Sequence, residues 1–485
     1  MMPEQIVIVG GGSAGWMTAL HYAHHLPHCD ITLIESSDVG IIGVGEGSTP
    51  YLKAFFKHLG IDESEWMHAT DATYKTGIQF DNWSTVPSYT GYFHPFFSAF
   101  DKTPAETFFK HSGLQRRGYE ADALPDHYFV AATLAEQKRS PVPDNSVPFD
   151  VDYAYHFDAG KLGQFLKQKA LEKGVTHIVE HIQQVRTEGE NVVALETSQR
   201  RLAGDFFVDC SGFAKVLQQH APRKWVDYSD TLFNDMAVAI PTPLNHAVNS
   251  PKTISKALRH GWMWRIPLTS RWGNGYVFSS DYCSVDEAKR ELQQELALSD
   301  DAIAKARVLR MSVGRLEQHW YHNTLSIGLS QGFIEPLEAT ALMLVQFSIE
   351  KSASLLASGD CSAQNIAQFN QEINTTFDGV KDYISMHYIL NTRNDTPYWR
   401  DAREKTYPSA TVNALLEAWD SGADFEQALS QHKSSLVYLR PSWYCILSGM
   451  GRHPVQLQPY DSGDAIRKAQ EYCRTIAQQH FDALS

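Results

Sequence analysis

Residues 5–16 read "QIVIVGGGSAGW", and this stretch decides the fold. Residues 6–9 are apolar and β-branched, which predicts a short buried strand. Helical spacing follows from residue 13, and "DITLIES" at residues 30–36 predicts a second strand. A strand, a glycine turn, a helix and a parallel strand together form the β-α-β unit of dinucleotide-binding folds.

The turn has the G-x-G-x-x-G spacing, with Gly10, Gly12 and Gly15. These glycines let the backbone approach a pyrophosphate at the helix N-terminus, and Glu35 is placed to accept a hydrogen bond from a ribose hydroxyl. The alternative is a turn selected only for tight packing of helix on strand. The motif alone does not separate NAD from FAD. A later apolar strand ending at Asp209, in "FFVDCSGF", favours FAD, although by itself it would be an ordinary strand end.

Composition limits the classes of partner. The chain has 485 residues, of which 43% are hydrophobic, and 42 Lys and Arg stand against 56 Asp and Glu. The net charge of -14 and the lack of a basic run argue against nucleic acid and anionic membranes. With no targeting leader and no run of 18 apolar residues, we expect a cytoplasmic protein that acts on a small molecule. The six cysteines are widely spaced, which favours reduced structural thiols over metal binding or disulfides.

The rest of the chain predicts an α/β protein with a helical C-terminal part. Apolar runs predict further strands at "HIVE", "VVALET", "GWMWRIPL", "GYVFSS" and "TLSIGLS", and amphipathic spacing predicts helices at "AGKLGQFLKQKALEKG" and "DEAKRELQQELAL". From about Pro336 the pattern is mostly helical. We expect a cofactor-binding core over residues 1–360, with substrate-side additions around 85–150 and 215–300, and a helical covering region over 361–485.

Several motifs together give the chain a family resemblance. They read "GVGEGSTP" (43–50), "ATYKTGIQFDNW" (72–83), "YAYHFDAGKLGQFL" (153–166), "GWMWRIPL" (261–268) and "GFIEPLEATAL" (332–342). With "GGGSAGW" and "DCSGF", they resemble the flavin-dependent halogenases of the tryptophan halogenase family. The resemblance covers most of the chain and implies a FAD-binding Rossmann-like core of the flavin monooxygenase (GR2) type, an added β-sheet and a mostly helical C-terminal part that covers the substrate.

The W-x-W-x-I-P segment is the most specific of these motifs. In a strand, residues two apart share a face, so Trp262 and Trp264 form one aromatic surface while Met263 points away. We call this pair the tryptophan wall. The family resemblance implies that the wall separates the flavin from the organic substrate, as a halogenase requires and a hydroxylase does not. Without the other motifs, two core-filling tryptophans would be the simpler interpretation.

The resemblance also implies the catalytic residues. Lys75 matches the family's active-site lysine, which carries the halogen as a haloamine or holds hypohalous acid by a hydrogen bond. Burial favours the neutral amine that a haloamine requires. Glu338 matches the family's catalytic carboxylate, which can stabilise positive charge on the ring and accept its proton. Glu338 would also suit a helix start for electrostatic reasons alone, and Glu335 is the second candidate.

Cofactors and partners follow from the same resemblance. FAD, delivered as FADH2 by a separate flavin reductase, would react with O2 and a halide ion, chloride or bromide, to give hypohalous acid. Backbone N–H groups at a helix N-terminus bind anions, so we expect the halide at Thr340 and Ala341. Well-known family members read Ser-Thr-Gly where this chain reads Ala339-Thr340-Ala341, which leaves the choice of halide open.

The predicted substrate is a small aromatic molecule with an electron-rich ring. His94, Pro95 and Phe96 resemble a family segment beside the substrate, although an aromatic core turn would look the same. Tryptophan-specific members hold the amino acid's charged end with paired tyrosines and a carboxylate. The matching positions here read Trp443, Tyr444 and Met450, and an ammonium left without a carboxylate would be unfavourable in a buried site. An indole, a phenol or a larger aromatic molecule is therefore preferred over free tryptophan.

Two alternatives remain at this point. A single-component FAD-dependent aromatic hydroxylase shares the fold but reduces its own flavin with NAD(P)H. A non-catalytic flavin- or aromatic-binding protein would retain the scaffold without needing both Lys75 and Glu338. Surface aromatics are also compatible with a homodimer, but no sequence pattern identifies its interface.

Overall fold

A computed structural model describes residues 3–37, 45–219, 223–244 and 250–484. The chain forms two compact units, each built from three separate segments of sequence. The first unit takes residues 1–72, 157–228 and 312–377, and the second takes 73–156, 229–311 and 378–485. Gly43 and Val44, at the start of the 43–50 motif, lie outside the described residues. Among the described helices, none is long and apolar enough to cross a membrane.

The first unit contains the predicted β-α-β unit. Its main sheet has six strands, in the order Trp320–Tyr321, Thr324–Ser326, Phe206–Asp209, Gln5–Val9, Asp30–Glu35 and Thr176–Val179. The last five are parallel, and only Trp320–Tyr321 runs antiparallel. Val7 and Ile34 pack with Phe207 in one hydrophobic cluster, because parallel strands with both faces covered carry continuous apolar runs.

Other elements of the first unit surround this sheet. Its smaller sheets consist of Gln184–Glu188, Asn191–Glu196 and Arg201–Ala203, and of Trp225–Asp227, Gly314–Leu316 and Gly332–Phe333. Glu46–Gly47 is a further short strand. The helices are Ser13–His25, Tyr51–His58, Glu63–Ala69, Ala159–Glu172 and Ala341–Ser358. The helix Ala363–Leu390 contributes residues to both units.

The second unit is built on a seven-stranded sheet. Its order is Arg307–Arg310, Met236–Thr242, Trp272–Phe278, Gly261–Pro267, Lys252–Ala257, Gly77–Asp81 and Gly91–Pro95. All neighbours are antiparallel except Lys252–Ala257 and Gly77–Asp81, which pair in parallel. One face of this sheet packs Met263, Tyr276 and Phe278 into a core with the helix Val285–Glu295.

Helices supply most of the remaining second unit. They are Lys102–Gln115, Val130–Glu136, Asp300–Ile303, Pro397–Glu404, Ala410–Asp420, Phe425–Gln431, Arg440–Gly449 and Ala465–His480. The strands Thr73–Lys75 and Ala154–Phe157 pair antiparallel, as do Arg139–Pro143 and Phe481–Ala483. Gly449 permits close packing of its helix, because a Cβ there would lie 2.4 Å from the ring of Tyr92.

The structure confirms the predicted fold class and the quoted strands and helices, except that "TLSIGLS" is a strand only over Thr324–Ser326 and continues as the 3-10 turn Gly328–Ser330. It differs near Pro336, where the sequence predicts the start of a helix. Pro336–Glu338 is a single 3-10 turn, Ala339 has a left-handed φ of 56°, and the α-helix begins at Ala341. An αL residue cannot continue a right-handed helix, so the chain turns once before the helix starts. The division at residue 360 stays a prediction.

Candidate functional site

The glycine loop has the shape that a pyrophosphate requires. Gly10 has a φ of 109°, and a Cβ there would lie 2.3 Å from the carbonyl oxygen of Cys210. A Cβ on Gly15 would lie 1.9 Å from the carbonyl oxygen of Gly10, whereas a Cβ on Gly12 would meet no atom within 4 Å. The loop is therefore closely packed on the strand side and open beside the helix N-terminus, which fits the pyrophosphate of a dinucleotide such as FAD.

Glu35 lies where the dinucleotide motif predicts, at the end of the strand Asp30–Glu35. Its Oε1 is 2.7 Å from Nε2 of His177 and 3.7 Å from Nζ of Lys167. Gly11, a position that the sequence analysis did not use, is also constrained, because a Cβ there would lie 1.7 Å from Oε2 of Glu35. The loop and the carboxylate thus pack directly against each other.

Asp209 ends the strand Phe206–Asp209 and is fully buried. Its carboxylate accepts hydrogen bonds from the backbone and hydroxyl of Ser211 and from the backbone N–H of Leu217, at 2.8 Å for the last. This side chain therefore closes the turn that follows the strand.

The tryptophan wall lies on one face of the second unit's sheet. Trp262 and Trp264 are 1% and 6% exposed, and their ring centroids are 6.3 Å apart. Met263 packs in the core on the opposite face, as strand alternation predicts. Directly opposite Trp264 on the neighbouring strand is Ser255. Within the part of the chain that the structure describes, the buried Nε1 of Trp264 and Oγ of Ser255 have no hydrogen-bond partner, which is uncommon for buried polar atoms.

The ring of Trp264 lies over Gly275, where a Cβ would be 2.0 Å from Cη2. We expect Gly275→Ala to displace the indole and lower the free energy of unfolding by about 1–3 kcal/mol, because a well-packed core does not accommodate an added methyl group. Denaturant unfolding and near-UV circular dichroism measure both effects. Gly113→Ala is the matched control, since Gly113 lies in a helix and the nearest atom to its added Cβ is 3.7 Å away. Equal stability and spectra for both variants would contradict the placement of Trp264.

Lys75 is fully buried at the end of the short strand Thr73–Lys75. The strand is anchored because the hydroxyl of Thr73 donates to the carbonyl of Pro267, at 2.6 Å. This bond ties it to the last residue of the strand that carries the tryptophan wall. Nζ of Lys75 lies 5.5 Å from the ring centroid of Phe96, within the range of a cation–π contact.

His156 is a buried neighbour of Lys75 that the sequence analysis quoted but did not single out. Its Nδ1 is 3.2 Å from Oγ1 of Thr73, and its Nε2 is 2.9 Å from Oγ1 of Thr253. Because the Thr73 hydroxyl proton goes to Pro267, Nδ1 carries the imidazole proton and Nε2 accepts from Thr253. Burial, and then the charge of Lys75, hold the pKa of His156 well below its usual range, so the ring is neutral. A histidine within the otherwise apolar and aromatic run "YAYHF" was the available signal.

Glu338 and Glu335 belong to the other unit, in the turn before the helix Ala341–Ser358. Glu338 is 5% exposed and Glu335 is fully buried, so burial does not distinguish the two candidates. Thr340 is the N-cap residue and Ala341 the first residue of that helix, whose first turn contains no acidic side chain. First-turn N–H groups have no partner within the helix, which makes this end suitable for an anion.

Glu46 is a second titratable residue that the sequence analysis left unassigned. It lies in the strand Glu46–Gly47, within the motif "GVGEGSTP". Burial, and secondarily the charge of Asp158, raise the pKa of Glu46 to about 7. A carboxyl group that is partly protonated at neutral pH is typical of functional sites.

The segment around His94 leads into an aromatic cluster. His94 is 7% exposed, and its Nε2 lies 3.0 Å from the hydroxyl of Ser442. Its ring centroid is 5.7 Å from that of Tyr383, which stacks on Tyr438 at 3.7 Å and meets Trp443 edge-on at 5.2 Å. We call these four rings the His94 cluster, which consists of His94, Tyr383, Tyr438 and Trp443. The sequence predicted His94 and Trp443 but not the two tyrosines.

The other two residues of the predicted late segment lie elsewhere. The hydroxyl of Tyr444 donates to Glu426 at 2.7 Å, and its ring packs against Phe109 and Phe425. Met450 is buried at the C-terminal end of the helix Arg440–Gly449. The structure therefore brings Trp443 to the His94 cluster and directs Tyr444 into a separate group of aromatic side chains.

Comparison with known proteins assigns the family. A sequence profile described as tryptophan halogenase matches residues 5–464. The chain belongs to the tryptophan halogenase family. The tryptophan 6-halogenase SttH of Streptomyces toxytricini is 35% identical over 448 residues, which are 86% of this chain and 84% of SttH. The tryptophan 7-halogenase RebH of Lentzea aerocolonigenes is 34% identical, over 93% and 90% of the two chains.

A solved structure supports the same assignment. Xcc4156, a flavin-dependent halogenase from Xanthomonas campestris, matches this chain with a TM-score of 0.83 and 32% identity, over 99% and 95% of the two chains. The predicted membership in the tryptophan halogenase family and the FAD-binding Rossmann-like core are confirmed. The chain is a flavin-dependent halogenase, and these relatives do not favour the hydroxylase alternative.

Proposed function

We propose that this tryptophan halogenase family member halogenates an electron-rich aromatic ring, with Lys75 and Glu338 as its catalytic residues. The observation that carries the proposal is the burial of Lys75. Lysine side chains are almost never fully buried, so a lysine with no exposed surface, close to His156 and Phe96, indicates a functional role for its amine.

The proposed reaction has two parts: an oxidant is formed, and it then halogenates the aromatic ring. When bound, reduced FAD supplies hypohalous acid from O2 and a halide ion. The glycine loop holds the dinucleotide, and the backbone N–H groups of Thr340 and Ala341 hold the halide, which is chloride or bromide. The tryptophan wall keeps the aromatic substrate from the flavin. The unpartnered polar atoms of Trp264 and Ser255 support the passage of a small polar oxidant along that face.

Lys75 and Glu338 then carry out the substitution on the aromatic ring. Lys75 holds the oxidant or takes the halogen as a haloamine, and the halogen is transferred to a ring carbon. The oxygen of hypohalous acid takes a proton from the amine of Lys75 and leaves as water when the O–X bond breaks. The ring carbon loses its proton to the carboxylate of Glu338, and that proton then restores the amine, so that hypohalous acid and the ring C–H give C–X and water overall. A buried carboxylate suits this role because it favours the positive charge that develops on the ring and then serves as the base.

The proposed substrate is an indole or a larger aromatic molecule rather than free tryptophan. The His94 cluster is aromatic, with Nε2 of His94 beside the Ser442 hydroxyl, and the Tyr383 hydroxyl and the Trp443 indole N–H donate to the carbonyls of Ser442 and Tyr438. Such groups recognise an aromatic ring better than an ammonium, which needs a charged partner when buried.

The partners follow from the reaction. A separate flavin reductase supplies FADH2, and the acidic net charge disfavours nucleic acid and anionic membranes as partners. All six cysteines are free thiols, which supports a reducing compartment such as the cytoplasm.

The test is mass spectrometry of indole incubated with the enzyme, FAD, a generic flavin reductase, NADH and either halide, with catalase present. We expect a mass shift of one halogen, in the isotope pattern of chlorine or bromine, that requires both the enzyme and the reductase. A parallel reaction with free L-tryptophan should give less product than indole. A product formed equally without the enzyme would contradict the proposal, because it would arise from free oxidant.

A further inference from the structure

Four histidines gather in the first unit, at the far end of the helix that begins beside the glycine loop. His21, His24 and His25 lie on the last turns of the helix Ser13–His25, and His58 ends the helix Tyr51–His58. The rings of His25 and His58 are stacked, with centroids 4.7 Å apart and an interplanar angle of 17°. Their Nε2 atoms are 2.7 Å apart.

Three of these side chains have the spacing of a metal site. Ligand nitrogens of His24, His25 and His58 all lie within 4.8 Å of one another. Zinc binds imidazole nitrogen at about 2.0–2.1 Å, so two nitrogens on one ion lie at most about 4.2 Å apart. Small rotations of these side chains, of which His25 is half-buried, therefore bring all three nitrogens to one ion.

A fourth, buried histidine lies on the inner side of this group. His21, which is 4% exposed, packs behind the group, with its ring centroid 4.2 Å from that of His25 and 6.0 Å from that of Phe55. This packing limits the movement of the ligand rings on the inner side.

We propose that His24, His25 and His58 bind one Zn²⁺ or a similar divalent transition ion. Three imidazoles favour zinc, nickel and copper over magnesium and calcium, which prefer oxygen ligands. Water completes the coordination. The ion links the helix that starts at the FAD loop to the helix Tyr51–His58. Its role is to hold these two helices together, separately from the halogenation chemistry.

Isothermal titration of ZnCl2 into the untagged, full-length, EDTA-treated protein tests the site. We expect one saturable Zn²⁺ per chain. His58→Ala and the double variant His24→Ala/His25→Ala should each weaken binding at least about 100-fold, because each loses a direct ligand. His68→Ala is the matched control, since His68 is an exposed histidine in the helix Glu63–Ala69 of the same unit. Its affinity for Zn²⁺ should equal that of the wild type.

A second measurement separates ligation from folding. Saturating Zn²⁺ should raise the Tm of the wild type and of His68→Ala but leave that of His58→Ala unchanged, because an ion that binds the native state stabilises it. FAD binding by each variant confirms that it is folded. The absence of saturable binding in the wild type would overturn the proposal, as would equal Zn²⁺ affinity in the wild type and His58→Ala.

Discussion

Replacing Lys75 by alanine is expected to lower ring halogenation by at least about 1,000-fold while FAD still binds. The reason is that the amine is the group proposed to hold or carry the halogen, and the neighbouring His156 is bonded through both nitrogens to threonine hydroxyls. The measurement is the rate of halogenated product, by mass spectrometry, at saturating FADH2 and halide. FAD fluorescence quenching measures cofactor binding in the same preparation.

Two further variants control the Lys75 experiment. Lys75→Met retains most of the buried volume, so a loss of activity shared by methionine and alanine reports the missing amine rather than a cavity. Lys305→Ala removes an exposed lysine from the same unit and should leave the rate unchanged. Near-normal product from Lys75→Met would refute the assignment of Lys75.

Glu338→Gln is expected to lower halogenation by about 100–10,000-fold, the usual range for loss of a general base. Glutamine matches glutamate in size and accepts hydrogen bonds, but it neither stabilises a cationic ring nor takes its proton. Because Glu338 is buried in a short turn, the isosteric change should preserve the fold. Product formation is measured as for Lys75, and thermal unfolding of the variant checks stability.

Glu335→Gln is the matched control, because Glu335 is buried in the same turn and was the second candidate. It should retain substantially more activity than Glu338→Gln. The reverse order would move the catalytic assignment to Glu335.

Local pattern predicted much of this fold. The parallel strands and the glycine loop could be predicted from the sequence, because "QIVIVGGG" combines a short apolar run with a turn that requires glycine. Alternation predicted that Met263 and the tryptophan wall lie on opposite faces. The strand Phe481–Ala483 was not predicted, because its pairing with Arg139–Pro143 joins residues more than 300 positions apart and leaves no local signal.

The site was predicted where a motif marks it and missed where tertiary packing creates it. Lys75 and Glu338 were predicted through family motifs, and their catalytic roles stay predictions. The ring of His156 is hydrogen-bonded to hydroxyls on two separate strands, and the pKa of Glu46 is raised by burial and by the charge of Asp158. The stacking of Tyr383 on Tyr438 depends on residues 55 positions apart. Sequence spacing carries none of these relationships.

The interleaving of the two units has a consequence for synthesis and for engineering. The first unit contains the N-terminal strand, but its last segment ends only at residue 377. The first unit is therefore complete only when more than three-quarters of the chain has been made, and such distant contacts slow folding. For the same reason, no single cut yields either unit intact, so exchange of the second unit between relatives requires three coordinated replacements.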